Sequence, residues 1–279
     1  MPAVTASDGI QLAVHDFGGS GPPLLFVHAT GFHGRVWRAV AAGLSSRHRC
    51  VAVDLRGHGD SGPDPSRSYH WSGFAWDVLA VVDGLGLEDP VGIGHSCGGA
   101  ALLLAEEARP GTFRSLTLYE PIVRPVDEPE GPSPDNALAA GARRRREEFP
   151  DLAAAFENYA GKPPLNVVER GVLWDYVQGG FTEAAGGVRL KCHRDTEATV
   201  FSQSSTHDAF AHLDRVGCPV DLLCGEHTDT FGVDVMEALA TRLPTARVRV
   251  AAGRGHFGPL EDPAWFADTV GELIASPGQ

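Results

Sequence analysis

Short apolar runs alternate along this chain with longer segments in which apolar residues recur at helical spacing. An alternating stretch at 10–16 precedes apolar runs at 24–27, 51–53, 91–93, 115–119, 220–224 and 248–251. Helical patterns lie between them at 36–44, 71–85, 100–108, 233–243 and 263–275. Continuous apolar runs of this length are typical of strands buried on both faces. The pattern predicts an α/β fold with a mostly parallel sheet and helices on both faces.

The alternation stops between residues 121 and 205. Proline and glycine are dense at 121–134, and helical patterns follow at 136–149, 152–159 and 167–176, with no strand pattern before 220. We interpret 121–205 as a helical insertion over the carboxyl edge of the sheet, where ligands bind in open α/β sheets. The remaining residues, 1–120 and 206–279, then form the core.

Composition narrows the range of functions. The chain has 279 residues, 43% of them hydrophobic, which is enough for a sizeable core. Its net charge of -13 disfavours nucleic acid as a partner, because phosphates would be repelled. The first residues lack a secretory pattern, no apolar run is long enough to span a bilayer, and the five cysteines are scattered. We therefore expect a reduced, cytoplasmic protein.

A serine between two glycines directly follows the run at 91–93. The stretch 94–98 reads GHSCG, and a helical pattern comes next. Small residues permit a sharp strand-to-helix turn that exposes the hydroxyl of Ser96. Backbone N–H groups at the start of the helix can stabilise an oxyanion beside it. This arrangement predicts that Ser96 is a nucleophile.

A serine hydroxyl needs a base and, behind the base, an acid. His256 follows the last apolar run and is placed to accept the proton of Ser96. Asp229, just after the run at 220–224, is the expected acid, and the order Ser96, Asp229, His256 is the one used by this architecture. Glu120, at the end of the run at 115–119, is the alternative acid.

The second oxyanion donor should come from the loop after the run at 24–27. We expect the backbone N–H groups of Thr30 and Cys97 to form the pair, with Ala29 as the alternative to Thr30. Aromatic and imidazole side chains near the site are candidates for lining a pocket, although simple packing explains them as well. They are Phe32, His33, Trp174 and Phe257.

Two other polar features of the sequence are expected to have structural rather than chemical roles. The four arginines at 143–146 are followed by two glutamates at helical spacing, which predicts a solvated, ion-paired helix face. Cys192 and His193 lack metal-ligand spacing, and no metal or cofactor is expected.

Four ordered motifs make the chain resemble an α/β-hydrolase fold enzyme with a serine nucleophile. They are HATG at 28–31, DLRGHGDS at 54–61, GHSCG at 94–98 and GHF at 255–257. The resemblance implies an eight-stranded, mostly parallel sheet and identifies 121–205 as a helical lid. Two positions depart from the family pattern: Ala29 replaces the usual glycine, and Cys97 follows the nucleophile. The motifs are specific for the fold but only weakly specific for the substrate.

The leading hypothesis is a cofactor-free serine hydrolase that cleaves a carboxylic ester or related small acyl compound through an acyl-enzyme. One alternative uses the same triad on a thioester, in a cyclisation, or on a C–C bond. Another is a ligand receptor with little catalysis. Because position 96 is serine, the aspartate-nucleophile branches of the family are not expected. The chain is expected to be a monomer or homodimer.

Overall fold

A computed structural model describes residues 3–275, in which eleven strands alternate with helices. The strands are β1 Ala3–Thr5, β2 Gln11–Asp16, β3 Pro23–Val27, β4 Arg49–Val53, β5 Val91–His95, β6 Ser115–Tyr119, β7 Glu148–Phe149, β8 Phe181–Ala184, β9 Gly187–Leu190, β10 Val220–Gly225 and β11 Ala246–Ala251. The helices are α1 Arg38–Leu44, α2 Trp71–Gly84, α3 Cys97–Ala108, α4 Ala137–Arg143, α5 Leu152–Ala160, α6 Arg170–Gly180, α7 Arg194–Ser202, α8 Ala209–His212, α9 Val233–Ala240, α10 Gly258–Glu261 and α11 Pro263–Ala275.

The central sheet has eight strands in the order β1-β2-β4-β3-β5-β6-β10-β11. The first two pairings, β1 with β2 and β2 with β4, are antiparallel, and the others are parallel. The predicted α/β-hydrolase sheet is therefore confirmed. The sequence pattern did not reveal β1, whose three residues are too few to show a period.

Helices cover both faces of the sheet, as the apolar runs predict. Helices α2 and α3 pack together in one hydrophobic cluster, whereas α1 and α11 pack together in the cluster on the other face. Strands β5 and β6 are buried at every position, which explains why their sequences do not alternate. No helix within residues 3–275 is long and apolar enough to cross a membrane.

The segment 121–205 is not purely helical. It contains α4 to α7, but β7, β9 and β8 form a separate three-stranded antiparallel sheet. The hairpin between β8 and β9 turns at Ala185-Gly186, and the positive φ of Gly186 suits such a turn. The helix predicted over 136–149 ends at Arg143, and the buried Phe149 pairs in β7 instead.

The segment 121–205 contacts the central unit through α6. This helix packs against the short 3-10 helix Gly34–Trp37 and against α1. Asp175 of α6 is buried and accepts a hydrogen bond from Nε of Arg38 at 2.8 Å. The segment thus lies beside the loop that follows β3. The ends of the predicted core, residues 1–2 and 276–279, lie outside the described residues.

Candidate active site

Ser96 occupies a strained turn between β5 and α3. Its φ is +56° and its ψ is -117°, a conformation that non-glycine residues rarely adopt. A Cβ on Gly94 would lie 2.7 Å from Gly99, and a Cβ on Gly98 would lie 2.3 Å from the carbonyl oxygen of Val27. The two glycines that flank the serine are therefore required by close backbone approach.

The start of α3 leaves backbone donors beside Ser96. Cys97 is the first residue of the helix, so its N–H has no intrahelical acceptor. The Ser96 N–H itself donates to the carbonyl oxygen of Tyr119 at 2.9 Å, which ties the turn to β6. Ser96 is only 7% exposed, so the turn lies inside the protein rather than on an open surface.

His256 is paired with Glu120. Nδ1 of His256 donates to Oε2 of Glu120 at 2.6 Å, and the glutamate is completely buried. Two further donors hold the carboxylate: Thr228 Oγ1 donates to Oε2 at 2.7 Å, and the Gly225 N–H donates to Oε1 at 2.9 Å. The two oxygens of the Glu120 side chain thus accept three hydrogen bonds, which hold it in one orientation.

The structure pairs His256 with Glu120, the alternative acid, and not with Asp229, the expected one. Asp229 is exposed, and its Oδ1 lies 3.5 Å from Oγ1 of Thr230. The strand order explains the difference, because β6 lies directly beside β5 whereas β10 is one strand further away. Glu120 therefore starts closer to Ser96, and the loop after β10 supplies Thr228 and Gly225 as its hydrogen-bond donors.

The pairing with Glu120 determines the tautomer of His256. With its proton on Nδ1, the imidazole has a free lone pair on Nε2, as a general base requires. His95, the residue before the serine, is buried against His256. Its ring centre lies 4.8 Å from that of His256, and its Nε2–H donates to the His256 carbonyl oxygen at 2.9 Å.

The Ser96 hydroxyl makes no direct hydrogen bond to His256 in the part of the chain that is described. Within residues 3–275, no hydrogen-bond partner of Ser96 Oγ lies within 3.5 Å. Hydrogen bonds between a nucleophile and its base are often long without substrate and tighten in the reacting complex.

The loop after β3 forms a tight turn beside the serine. The Phe32 N–H donates to the carbonyl oxygen of Ala29, with Thr30 and Gly31 at the centre of the turn. The φ of Gly31 is +80°, the value that a type II turn needs at this position. The Thr30 side chain lies near enough to the Cys97 thiol to act on its pKa, so the two expected oxyanion residues lie together. Burial raises the pKa of the Cys97 thiol to about 12, which keeps it protonated.

Three of the four candidate pocket residues lie in this loop or contact it: Phe32, His33 and Phe257. Phe32 packs against Phe257 with 5.9 Å between the tilted ring centres, and Phe257 in turn contacts His256 at 5.2 Å. His33 donates from Nε2 to the carbonyl oxygen of Tyr176 at 2.9 Å. Trp174 packs at 5.3 Å on Phe156 of α5, within the segment 121–205.

Sequence reasoning missed a polar cluster that abuts the same loop. The arginine run does not form one solvated helix face, because α4 ends at Arg143 and Arg145 turns inward. Nη1 of Arg145 donates to Glu197, and Nη2 donates to the hydroxyls of Tyr159 and Tyr176. The position of Arg145 in a run of four arginines carried no signal that would distinguish it from its neighbours.

Buried neutral imidazoles surround the loop after β4. Burial lowers the pKa of His28 to about 3 and that of His58 to about 4. His28 donates from Nδ1 to the Ala29 carbonyl oxygen and accepts at Nε2 from the Leu55 N–H, so it has a structural role. Within residues 3–275, no three His, Cys, Asp or Glu side chains are grouped closely enough to hold a metal ion.

Comparisons with known proteins agree with this architecture. The chain matches the profile of the alpha/beta hydrolase family over residues 24–269. A non-heme haloperoxidase of Rhodococcus erythropolis is 28% identical over 266 residues, covering 92% of this chain and 93% of that protein. The magnesium-chelatase 30 kDa subunit of Rhodobacter capsulatus is 36% identical over 257 residues, covering 85% and 81%. The crystal structure of E-2-(acetamidomethylene)succinate hydrolase matches with a TM-score of 0.85 at 23% identity, covering 99% of this chain and 98% of that one.

Proposed function

Because the chain belongs to the alpha/beta hydrolase family, we propose that it is a serine hydrolase of carboxylic esters or related acyl compounds. The observation that carries the proposal is the hydrogen bond from His256 to the buried Glu120, on the strand next to the one that ends at Ser96. This bond leaves Nε2 of His256 basic on the side away from the acid. A histidine that was only a solvated part of the loop would not require a buried carboxylate as its partner, nor two further donors to hold that carboxylate.

The proposed reaction has two halves. Ser96 Oγ attacks the acyl carbon while Nε2 of His256 takes the hydroxyl proton, and the carbonyl electrons move onto oxygen. The N–H groups of Thr30 and Cys97 stabilise this oxyanion, each contributing about 3 kcal/mol to lowering the barrier. Collapse expels the alcohol, which receives the proton from His256. Water then attacks the acyl-enzyme by the same route and releases the acid and free Ser96.

In this proposal the segment 121–205 acts as the lid that selects the acyl group. Its α6 contacts the segment after β3, and Tyr176 of α6 packs against Phe32 with 5.1 Å between ring centres. Side chains of the lid that line the pocket determine which acyl chain fits beside the oxyanion donors. The triad acts on the acyl carbon alone.

The test is Ser96→Ala, assayed with p-nitrophenyl butyrate. We expect kcat/KM to fall at least about 10,000-fold, because the nucleophile is lost while the fold is kept. Ser72→Ala, at an exposed position on α2, is the matched control and should retain full activity. A fluorophosphonate probe should add to wild-type protein at Ser96 and not to Ser96→Ala.

Turnover by Ser96→Ala within tenfold of the wild-type rate would refute the nucleophile. Folded wild-type protein that neither turns over acyl esters nor reacts with the probe would also contradict the proposal, and it would favour a ligand receptor on the same fold.

A further inference from the structure

Four side chains of the segment 121–205 form a closed polar group, here called the Arg145 cluster: Arg145, Tyr159, Tyr176 and Glu197. Nη2 of Arg145 donates to the Tyr159 hydroxyl at 3.1 Å and to the Tyr176 hydroxyl at 2.5 Å, while Nη1 donates to Glu197. Glu197 and Tyr176 are buried, but the Arg145 side chain keeps 18% of its surface exposed. The cluster is therefore enclosed by protein and still reachable.

The Arg145 cluster contains hydroxyl hydrogens for which it has no acceptor. A guanidinium has only N–H donors, so both phenol oxygens act as acceptors toward Arg145. Their own O–H hydrogens must point elsewhere, and neither hydroxyl has another hydrogen-bond partner in the part of the chain that is described. Burial raises the pKa of Tyr176, so its hydroxyl stays protonated. Two O–H donors thus remain available for an acceptor, and an unpaired buried donor is costly.

The cluster lies against the turn that carries the proposed oxyanion donor. A Cβ on Gly31 would come 2.5 Å from Oε1 of Glu197 and 3.3 Å from Nη1 of Arg145. Gly31 directly follows Thr30, and the ring of the next residue, Phe32, packs against that of Tyr176. Only glycine leaves room for this contact. The cluster therefore abuts the turn that carries Thr30, and Phe32 and Phe257 link it to His256 through successive ring contacts.

The charge of the cluster decides which acceptor suits it. The positive charge of Arg145 is matched by Glu197, and the nearby Glu147 is already paired with Arg194 at 3.5 Å, so no unmatched positive charge faces a ligand here. A carboxylate placed here would lose solvation without gaining an unpaired cation, which is unfavourable. An uncharged carbonyl oxygen would accept from the phenol hydroxyls without that cost.

We propose that the Arg145 cluster binds a second, uncharged carbonyl oxygen on the acyl part of the substrate. The proposal rests on the proposed function, because it takes the acyl group of the Ser96 ester as the ligand. It names the substrate class as acyl compounds with an additional carbonyl in the chain, in preference to plain alkyl chains and to chains that end in a carboxylate.

The test compares esters that differ in one group. p-Nitrophenyl pentanoate and 4-oxopentanoate form one pair, and hexanoate and 5-oxohexanoate form a second, with each ratio corrected for the rates of alkaline hydrolysis. Wild-type protein should prefer the oxo ester of at least one pair by about tenfold in kcat/KM, the contribution of about one net hydrogen bond. In Tyr159→Phe and Tyr176→Phe, which keep the ring packing, this ratio should fall toward 1.

Tyr69→Phe is the matched control, because its buried hydroxyl lies against Thr196 rather than Arg145, and it should keep the wild-type ratio. p-Nitrophenyl hemisuccinate supplies the charged comparison and should be a poorer substrate than the 4-oxo ester. An equal rate for both members of both pairs in wild-type protein, an unchanged ratio in both tyrosine variants, or a preference for hemisuccinate would each overturn the proposal.

Binding measurements separate this proposal from the proposed function. Calorimetry with Ser96→Ala should give about tenfold tighter binding of the oxo ester, and the difference should disappear when Tyr176→Phe is added. A binding preference without any wild-type turnover would refute the hydrolase while supporting the cluster. Ester turnover without any preference for the oxo ester would support the hydrolase and refute the role of the Arg145 cluster.

Discussion

The carboxyl edge of the central sheet and the segment 121–205 both carry buried polar groups, but they are built in different ways. At the sheet edge, Ser96 and Glu120 each directly follow a strand, and His256 lies in the loop after β11. In the segment 121–205, the Arg145 cluster joins residues 14 to 52 positions apart that lie on different helices and loops. Strand ends bring distant residues together by a rule that can be read from sequence, whereas packing between helices and loops follows no such rule.

The largest effect should separate the two candidate acids at the sheet edge. Glu120→Gln should lower kcat by on the order of 100- to 10,000-fold, because a neutral amide neither stabilises the imidazolium of His256 nor keeps its tautomer. Asp229→Asn should stay within about twofold of wild type, since Asp229 is exposed and has no contact with His256. Ester hydrolysis at saturating substrate measures both.

A large loss of kcat in Asp229→Asn with normal activity in Glu120→Gln would reverse this assignment. Near-ultraviolet circular dichroism of both variants serves as the control for folding, because Glu120 also holds the loop after β10 through Gly225 and Thr228.

The next effect concerns stability within the segment 121–205. Arg145→Ala should lower the free energy of unfolding by about 3–5 kcal/mol, because it leaves the buried Glu197 without its partner. Arg143→Ala, two residues earlier, removes an exposed side chain that donates to the Pro134 carbonyl oxygen and should cost less than about 1 kcal/mol. Urea unfolding measures both changes. If both variants lost the same free energy of unfolding, the interpretation of 143–146 as one solvated helix face would be restored.

The smallest effect is a pH dependence that belongs to the sheet edge. His58 is buried, and burial lowers its pKa to about 4, whereas an unfolded histidine binds a proton near pH 6.5. Between these values the unfolded state binds more protons, so stability falls as the pH drops from about 6.5 toward 4. His58→Gln should reduce the loss of stability between pH 7 and pH 5 by about 2 kcal/mol.

Urea unfolding at the two pH values measures this difference. His193→Gln, at an exposed position in the segment 121–205, is the control and should leave the loss unchanged. An identical pH dependence in wild type and His58→Gln would show that His58 does not contribute to it.

Much of the fold could be predicted because local pattern and global architecture agree. Strand β6 and helix α11 begin and end where the sequence indicates, and α3 starts at Cys97, directly after the serine turn. The small sheet in 121–205 was not predicted, since β7 has two residues and the helical pattern over 136–149 runs into it. In short elements of this kind, tertiary contacts override local propensity.

The sequence by itself determined the sheet, the strained serine turn and the position of His256, because each depends on residues that are neighbours along the chain. Only the tertiary structure paired His256 with Glu120 instead of Asp229, since chain order does not show that β6 lies between β5 and β10. Only the tertiary structure also brought Arg145 against Gly31. A charged side chain that is buried depends on a distant partner, and no local pattern marks the residue that provides one.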